Sequence, residues 1–165
     1  CGTQEADQAH HVHHITPFRA FTKPEEANQI DNLITVCPAC HRRIEAIVQI
    51  RSGLAGLAFA LGHLAPLFLM CDTSDIGVHS DPQSPLAEGR PTVVIYDNIA
   101  GGFGLSLKLY EIHEQLVKGT LDHVLSCECE DGCPSCVGPA GEVGYGGKRE
   151  TIAILESLCS DSPNG

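Results

Sequence analysis

The sequence predicts an α+β fold in two parts, a zinc element at residues 1–51 and a small mixed α/β domain at residues 52–165. Cysteines and histidines are concentrated in two segments, periodic apolar residues indicate helices, and one continuous apolar run indicates a strand. A chain of 165 residues is long enough to bury a core. Seven of its nine cysteines lie in or beside C-x2-C-type spacings, which favours a reduced, zinc-binding chain over a disulfide-stapled one.

The strongest motif comes late in the chain, where four cysteines within ten residues are spaced as C-x-C-x3-C-x2-C. They are Cys127, Cys129, Cys133 and Cys136. Gly132 and Pro134 can supply the turn that brings such thiolates together on a tetrahedral Zn²⁺. A disulfide pair and reactive thiols are the alternatives. Glu130 and Asp131 disfavour phosphate binding by this loop, so the motif predicts a structural zinc site.

Charge is unevenly distributed. Residues 1–51 carry five Lys/Arg and six Asp/Glu, whereas residues 52–165 carry five and fifteen, which gives net charges of −1 and −10. Because nucleic-acid binding needs a basic surface, the second part reads as a module that packs on a partner domain. The chain begins with Cys1 and has no leader pattern, so we expect a fragment of a longer polypeptide.

The first part reads as a short loop or helical turn at residues 25–35, a strand at Leu33–Val36 and a helix from Arg42 to about Gln49, broken near Ser52-Gly53. Residues 53–71 contain no charged side chain, so a membrane span has to be considered. Glycines and Pro66 oppose a span. Apolar residues at i, i+3, i+4, i+7 and i+11 predict a buried helix instead: Leu54, Leu57, Ala58, Leu61 and Ala65. Pro66 should stop this helix before a strand at Leu67–Cys71.

A turn at residues 72–78 and a polar loop at 79–91 should lead to an apolar strand at 92–97. Helices are predicted at about 105–117, 121–125 and 148–158. The glycine-rich turn at 98–104 lies between strand and helix, as phosphate-binding loops do, but lacks their spacing, and Gly146-Gly147-Lys148 is no Walker loop. Both read as packing turns.

Two further sets of side chains have simple readings. Asp72, Asp75 and Asp97 follow strand ends and could form a carboxylate cluster for a metal, although turn capping is the commoner role. Cys71 and Cys159 are expected to be small buried apolar residues.

Residues 1–51 resemble an HNH-type element, the ββα-metal nuclease motif, through His13-His14-Ile-Thr-Pro, Asn32-Leu-Ile-Thr-Val and Cys37-Pro-Ala-Cys40-His41. The resemblance implies that His13 and His41 bind a catalytic Mg²⁺ or other divalent ion. It also implies that His14 is the general base and that Asn32 orients it. A neutral imidazole can accept a proton from water near pH 7, and the ion stabilises charge on the phosphate.

The same resemblance implies a structural zinc bound by two C-x2-C pairs. Cys37 and Cys40 form one pair, and Cys1 would be the second half of the other, leaving one ligand missing unless His10 or His11 replaces it. Glu45 stands where such nucleases often have His or Asn. Four basic side chains could contact phosphates or simply form a solvated face: Arg19, Lys23, Arg42 and Arg43.

Residues 53–158 resemble the C-terminal zinc-binding domain of MrfA-type superfamily 2 DNA helicases, relatives of the Hrq helicases. The similarity lies in CDTSDIGV, VVIYDNIAGGFGLS, CECEDGCPSCVGP and a short Lys-led helix. It implies zinc ligands at the four clustered cysteines and a 3′-to-5′ helicase core upstream in the same polypeptide. ATP would bind only in that core, and DNA would be bound through the parent protein. The HNH-like piece departs from minimal members, and this departure suggests a helicase–nuclease, for example of a phage-defence system.

Three functional hypotheses follow. The chain is a zinc-binding accessory region of an ATP-dependent DNA helicase in DNA repair or defence, non-catalytic in isolation; or a metal-dependent HNH endonuclease; or a protein-interaction module that uses zinc only to fold. We expect a cytoplasmic protein without a membrane partner.

Overall fold

The computed structural model describes residues 9–98, 102, 104–139 and 147–160, apart from the side chain of Arg19. The chain divides into two compact units, Cys1–Val48 and Gln49–Gly165. The boundary between them falls inside one long helix. Cys1 lies outside the described residues, so its predicted place in a structural zinc site is not described either.

The first unit contains a β-hairpin and the start of the long helix. Strand β1 (His11–His14) pairs antiparallel with β2 (Leu33–Val36), with His13 opposite Ile34. A short helix α1 (Pro24–Ala27) and two 3₁₀ turns connect the strands, and helix α2 (Pro38–Leu69) follows β2. This β–β–α order agrees with the resemblance to an HNH element.

The second unit combines helices with one antiparallel hairpin. Its elements after α2 are β3 (Ile76–Ser84), β4 (Arg90–Asp97), α3 (Leu105–Glu111), α4 (His113–Ser126) and α5 (Gly147–Ser160). The buried core is contributed by α2, β3, the three later helices and the cysteine loop, through Leu57, Ala60, Leu61, Ala65, Ile76, Leu109, Leu116, Val124, Cys136, Val137 and Leu155. The cysteine loop is therefore packed into the core of this unit.

Helix α2 differs from the prediction at both expected breaks. It begins at Pro38, continues through Ser52-Gly53, and passes Pro66 before ending at Leu69. The predicted strand at residues 67–71 is wrong, because Met70 takes a left-handed conformation with φ of 53° that ends the helix. The break at Gly53 is absent because the glycine lets α5 approach closely: a Cβ there would lie 2.7 Å from Ile154 Cδ1.

The predicted apolar stripe of α2 is largely confirmed, since Leu54, Leu57, Leu61 and Ala65 are buried, while Ala58 is half-buried. By length and composition, α2 could cross a membrane, and it is one such helix among the described residues. Half of the most apolar 18-residue segment of α2 is buried inside the protein, as expected of a core helix.

The predicted polar loop at 79–91 is wrong for most of its length. Residues 76–84 form β3, whose His79, Ser80 and Asp81 pair with Val94, Val93 and Thr92 of β4. Backbone pairing does not depend on apolar side chains, so a polar segment becomes a strand once β4 offers its edge. The predicted strand at 92–97 is present, in an antiparallel hairpin.

The predicted terminal helix is present, whereas one helix break and the burial of two cysteines differ from the prediction. The break predicted around 118–120 instead falls at Ile112, between α3 and α4. The terminal helix is present as Gly147–Ser160. Cys71 and Cys159 are half-buried, not buried, because each lies near the end of a helix.

Candidate metal centre

The cysteine loop begins where α4 ends and is folded by tight turns. Cys127 is the extended residue that follows α4. Gly132 has φ of 125°, and a Cβ there would lie 2.7 Å from Val137 Cγ2, so only glycine fits the turn. The backbone N–H groups of Cys136 and Gly138 both donate to the carbonyl of Cys133, at 3.0 Å each. These bonds form a compact knuckle around the C-P-S-C segment.

The knuckle brings all four predicted sulfurs together. The Sγ atoms of Cys127, Cys129, Cys133 and Cys136 lie within 4.8 Å of one another, and among the described residues this is the one group of three or more potential ligands so close. Four of the sulfur pairs are separated by 3.4–3.6 Å. Four thiolates at about 2.3 Å from a tetrahedral Zn²⁺ would be about 3.8 Å apart. The donor set and its spacing therefore fit a tetrathiolate ion.

The surroundings shift the pKa values of two of the thiols in opposite directions. The backbone N–H of Ser135 and neighbouring thiols lower the pKa of Cys133 to about 7. Burial raises the pKa of Cys136 to about 12. The backbone N–H of Cys133 also lies 3.4 Å from the Cys136 sulfur, the type of N–H···S contact that stabilises a thiolate. A divalent cation bound by the four sulfurs would favour their thiolate forms.

Lys148 is a member of this site that the sequence analysis did not assign. Its buried ammonium group donates to the carbonyl oxygens of Cys127 and Cys129, and its backbone N–H donates to that of Asp131. A signal was present in the sequence, because a lysine in the first turn of a helix opposes the helix dipole. Such a breach of a local preference indicates a tertiary partner.

Asp97, the last residue of β4, contacts the start of α3. Its carboxylate accepts hydrogen bonds from the backbone N–H of Ser106 at 2.7 Å and of Gly104 at 3.2 Å. The Ser106 bond is the main reason that the pKa of Asp97 is lowered. The carboxylate therefore satisfies two backbone N–H groups at the start of α3.

Asp72 and Asp75 also act as caps. Each side chain accepts a backbone N–H bond within the 3₁₀ turn at Thr73–Asp75, forming a capping box. The backbone and hydroxyl of Ser74 lower the pKa of Asp72. The three aspartates are therefore used in turns, the commoner of the two roles considered for them.

Three histidines of the first unit, His11, His13 and His41, lie close together at the start of α2. The ring centroid of His41 lies 5.1 Å from those of His11 and His13, both on β1. Nδ1 of His41 is 3.3 Å from the carboxylate of Glu45, one helical turn along α2. The two predicted ligands of the divalent ion, His13 and His41, are thus brought together, and His11 and Glu45 join them.

His14 is placed differently from the expectation. Its Nε2 lies 3.0 Å from the amide oxygen of Asn28, and Phe18 packs edge-on against the ring. The amide of Asn32 instead exchanges hydrogen bonds with the backbone of Thr16 and donates to the carbonyl of Ala27. The residue that contacts the predicted base is therefore Asn28, while Asn32 fixes the loop after β1.

Cys37 and Cys40 flank the first turn of α2. The backbone N–H of Cys40 lies 3.5 Å from the Cys37 sulfur and lowers the pKa of that thiol. Among the basic residues, Lys23 lies 4.0 Å from Glu26, and Arg42 and Arg43 are exposed. The side chain of Arg19 lies outside the described residues.

Comparison with known proteins finds a family match in each of the two units. Residues 57–137 match the family model of the MrfA Zn-binding domain, and residues 1–46 match that of the HNH endonuclease. An uncharacterized protein of Methanocaldococcus jannaschii, MJ1572.1, is 36% identical over 104 residues, which cover 59% of this chain and 91% of that protein. The chain belongs to the MrfA Zn-binding domain family.

Part of this chain is also similar to part of two much longer helicases. The uncharacterized ATP-dependent helicase YprA of Bacillus subtilis is 31% identical over 105 residues, 64% of this chain but 14% of the helicase. A crystal structure of the DUF1998 helicase MrfA bound to DNA superposes with a TM-score of 0.61 at 30% identity, over 67% of this chain and 14% of that one. The chain therefore spans about one seventh of these helicases.

Proposed function

We propose that this chain is the zinc-binding accessory region of an ATP-dependent DNA helicase. Its zinc ligands would be Cys127, Cys129, Cys133 and Cys136. The observation that carries the proposal is the convergence of these four sulfurs, at 3.4–3.6 Å, in a segment matched by the MrfA Zn-binding domain. A tetrathiolate ion has no open position, so it would supply folding energy, not chemistry.

The knuckle would transmit that folding energy to the whole second unit. Cys136 and Val137 are at most 2% exposed and belong to the same core as Leu57 of α2 and Leu155 of α5. Fixing the loop therefore fixes the surface on which these helices pack. Such a rigid, acidic module suits contact with a basic protein surface better than direct contact with DNA.

The wider role follows from the helicase relatives. ATP would bind in a helicase core elsewhere in the same polypeptide, the accessory region alone would be non-catalytic, and DNA would be contacted through the parent protein, in repair or defence. We further propose a cytoplasmic location without a membrane partner; the internal burial of half of the most apolar 18-residue segment of α2 supports a core helix over a membrane span. Recovery of the parent protein from washed membranes would contradict this placement.

The test of zinc binding is the metal content of the purified chain. The wild-type chain should retain zinc at the knuckle, and Cys133→Ser should retain one zinc fewer and unfold at a lower temperature. Cys159→Ser is the matched control, because Cys159 is half-buried on α5, outside the cluster. Equal zinc content and thermal stability in Cys133→Ser and the wild type would refute the assignment.

A second function, metal-dependent DNA cleavage by the HNH-like unit, is favoured by the contact between His14 and Asn28. The side-chain oxygen of Asn28 can only accept a hydrogen bond, so Nε2 of His14 is the donor, and in the neutral ring Nδ1 is then the nitrogen that can accept a proton. An oriented neutral imidazole is the group needed to accept a proton from an attacking water. A divalent ion at His13 and His41 would supply charge stabilisation at the phosphate.

Cleavage is tested with supercoiled and single-stranded DNA in Mg²⁺, Mn²⁺ or Ni²⁺. His14→Ala should abolish nicking, and Asn28→Ala should reduce it by disordering the base. His79→Ala is the control, because His79 is an exposed histidine on β3. No metal-dependent cleavage by the wild-type chain, or equal cleavage by His14→Ala, would reject a nuclease role for this unit.

A further inference from the structure

The Lys148 side chain joins the start of α5 to the backbone of the cysteine loop. The residue is 8% exposed. Its Nζ donates to the carbonyl of Cys127 and, at 2.7 Å, to that of Cys129, while its backbone N–H donates to the carbonyl of Asp131 at 3.2 Å. One residue thus fixes three points of the loop that carries the first two sulfurs.

Hydrogen bonding alone does not account for a cation at this position. Burying an ammonium group is unfavourable unless an opposite charge lies nearby, and the start of a helix disfavours positive charge further. The two acceptors of Nζ are neutral carbonyls. Four thiolates around a divalent cation carry a net charge of minus two, which would place an opposite charge beside this ammonium group.

The position of Lys148 is also set by contacts of α5 outside the knuckle. The hydroxyl of Thr151, fully buried one turn further along α5, donates to the carbonyl of Gly53 in α2 at 3.1 Å. Leu155, also fully buried, continues the same face of α5 into the core. The packing of α5 on α2 therefore helps to direct the ammonium group toward the loop.

We propose that Lys148 is the positioning and charge-balancing residue of the tetrathiolate zinc centre, holding the Cys127–Cys129 segment in its ligating conformation and offsetting the charge of the thiolates. This inference rests on the proposed zinc site. Lys148 would raise the metal affinity of the site without being a ligand, as the outer hydrogen-bond partners of ligands do at other metal sites.

The experiment is a Co²⁺ titration of the purified chain against a competing chelator, following the absorption of the cobalt–thiolate complex. A Cys37→Ser background removes the contribution of the C-x2-C pair in the first unit. Lys148→Met should weaken Co²⁺ binding by roughly 10- to 100-fold, the usual effect of removing an outer-sphere partner. Lys118→Met, an exposed lysine on α4, should leave the affinity unchanged.

Thr151→Val distinguishes a specific loss of metal affinity from a general loss of folding, because it loosens the packing of α5 without removing the charge of Lys148. It should lower stability to urea while retaining more Co²⁺ affinity than Lys148→Met does. If Lys148→Met does not fold, Lys148→Gln keeps hydrogen-bond donors without the charge and should show a loss of the same order. Wild-type affinity in the Met or Gln variant, or no greater loss than in Thr151→Val, would overturn the role of Lys148. Failure of the wild-type chain to bind Co²⁺ would overturn both proposals.

Discussion

The contact between α2 and α5 gives a quantitative test of the packing that positions Lys148. A Cβ added at Gly56 would lie 2.2 Å from the Thr151 hydroxyl oxygen and 3.2 Å from Val137 Cβ. A Cβ added at Gly62, on the same helix, would be 3.6 Å from Val78, an ordinary contact. The same substitution by alanine should therefore have opposite effects at the two sites.

The magnitudes follow from three terms. Overpacking a tight contact costs about 1–3 kcal/mol. Rotating the buried Thr151 hydroxyl away from the Gly53 carbonyl costs about another 1 kcal/mol. Replacing a helical glycine by alanine contributes about 1 kcal/mol in the other direction. Gly56→Ala should thus destabilise by about 1–3 kcal/mol, and Gly62→Ala should stabilise by up to about 1 kcal/mol.

Urea unfolding of the zinc-loaded chain, followed by circular dichroism, measures both free energies. The first unit contributes equally to the two unfolding curves, so the difference between the variants reports on α2. Equal stability of Gly56→Ala and Gly62→Ala would refute the close approach of α5 to α2.

Three further predictions concern other parts of the chain. Removal of zinc by a chelator should lower the melting temperature of the wild type and leave Cys133→Ser unchanged, and readdition should restore only the wild type. Asp97→Asn should remove stability that the wild type has near pH 7. The pKa of Asp97 is lower in the folded than in the unfolded chain, so this stability is fully present above the unfolded pKa and is lost as pH falls through the folded pKa. If the difference in unfolding free energy between wild type and Asp97→Asn does not shrink in acid, the prediction is wrong. Asn32→Ala should remove hydrogen-exchange protection from the loop after β1, whereas Asn28→Ala should not, and equal protection in both would count against the bonds seen at Asn32.

Local pattern was enough to predict the parts of the fold that depend on near neighbours. The apolar stripe through Leu54, Leu57 and Leu61 specified the buried face of α2, and the spacing of the four cysteines specified their convergence. Both signals are contained in a few residues. The continuity of α2 was missed, because Gly53 is tolerated only through its contact with α5, about 100 residues later in the chain.

The other features that the sequence did not predict also depend on contacts between residues far apart in the chain. The polar residues of β3 have no strand pattern of their own and depend on pairing with β4. The position of Lys148 in the first turn of a helix indicates a tertiary partner, but the cysteine loop is identified as that partner only by the docking of α5. Asn28 lies in a helical turn, and its contact with His14 depends on how the loop between β1 and β2 folds back.

The central claim is that one ion sits between the four sulfurs of the knuckle. The most direct measurement is anomalous diffraction at the zinc absorption edge from crystals of the purified chain. We predict an anomalous peak about 2.3 Å from each Sγ of Cys127, Cys129, Cys133 and Cys136. Four sulfurs without a peak between them, in crystals grown with zinc present, would contradict the account.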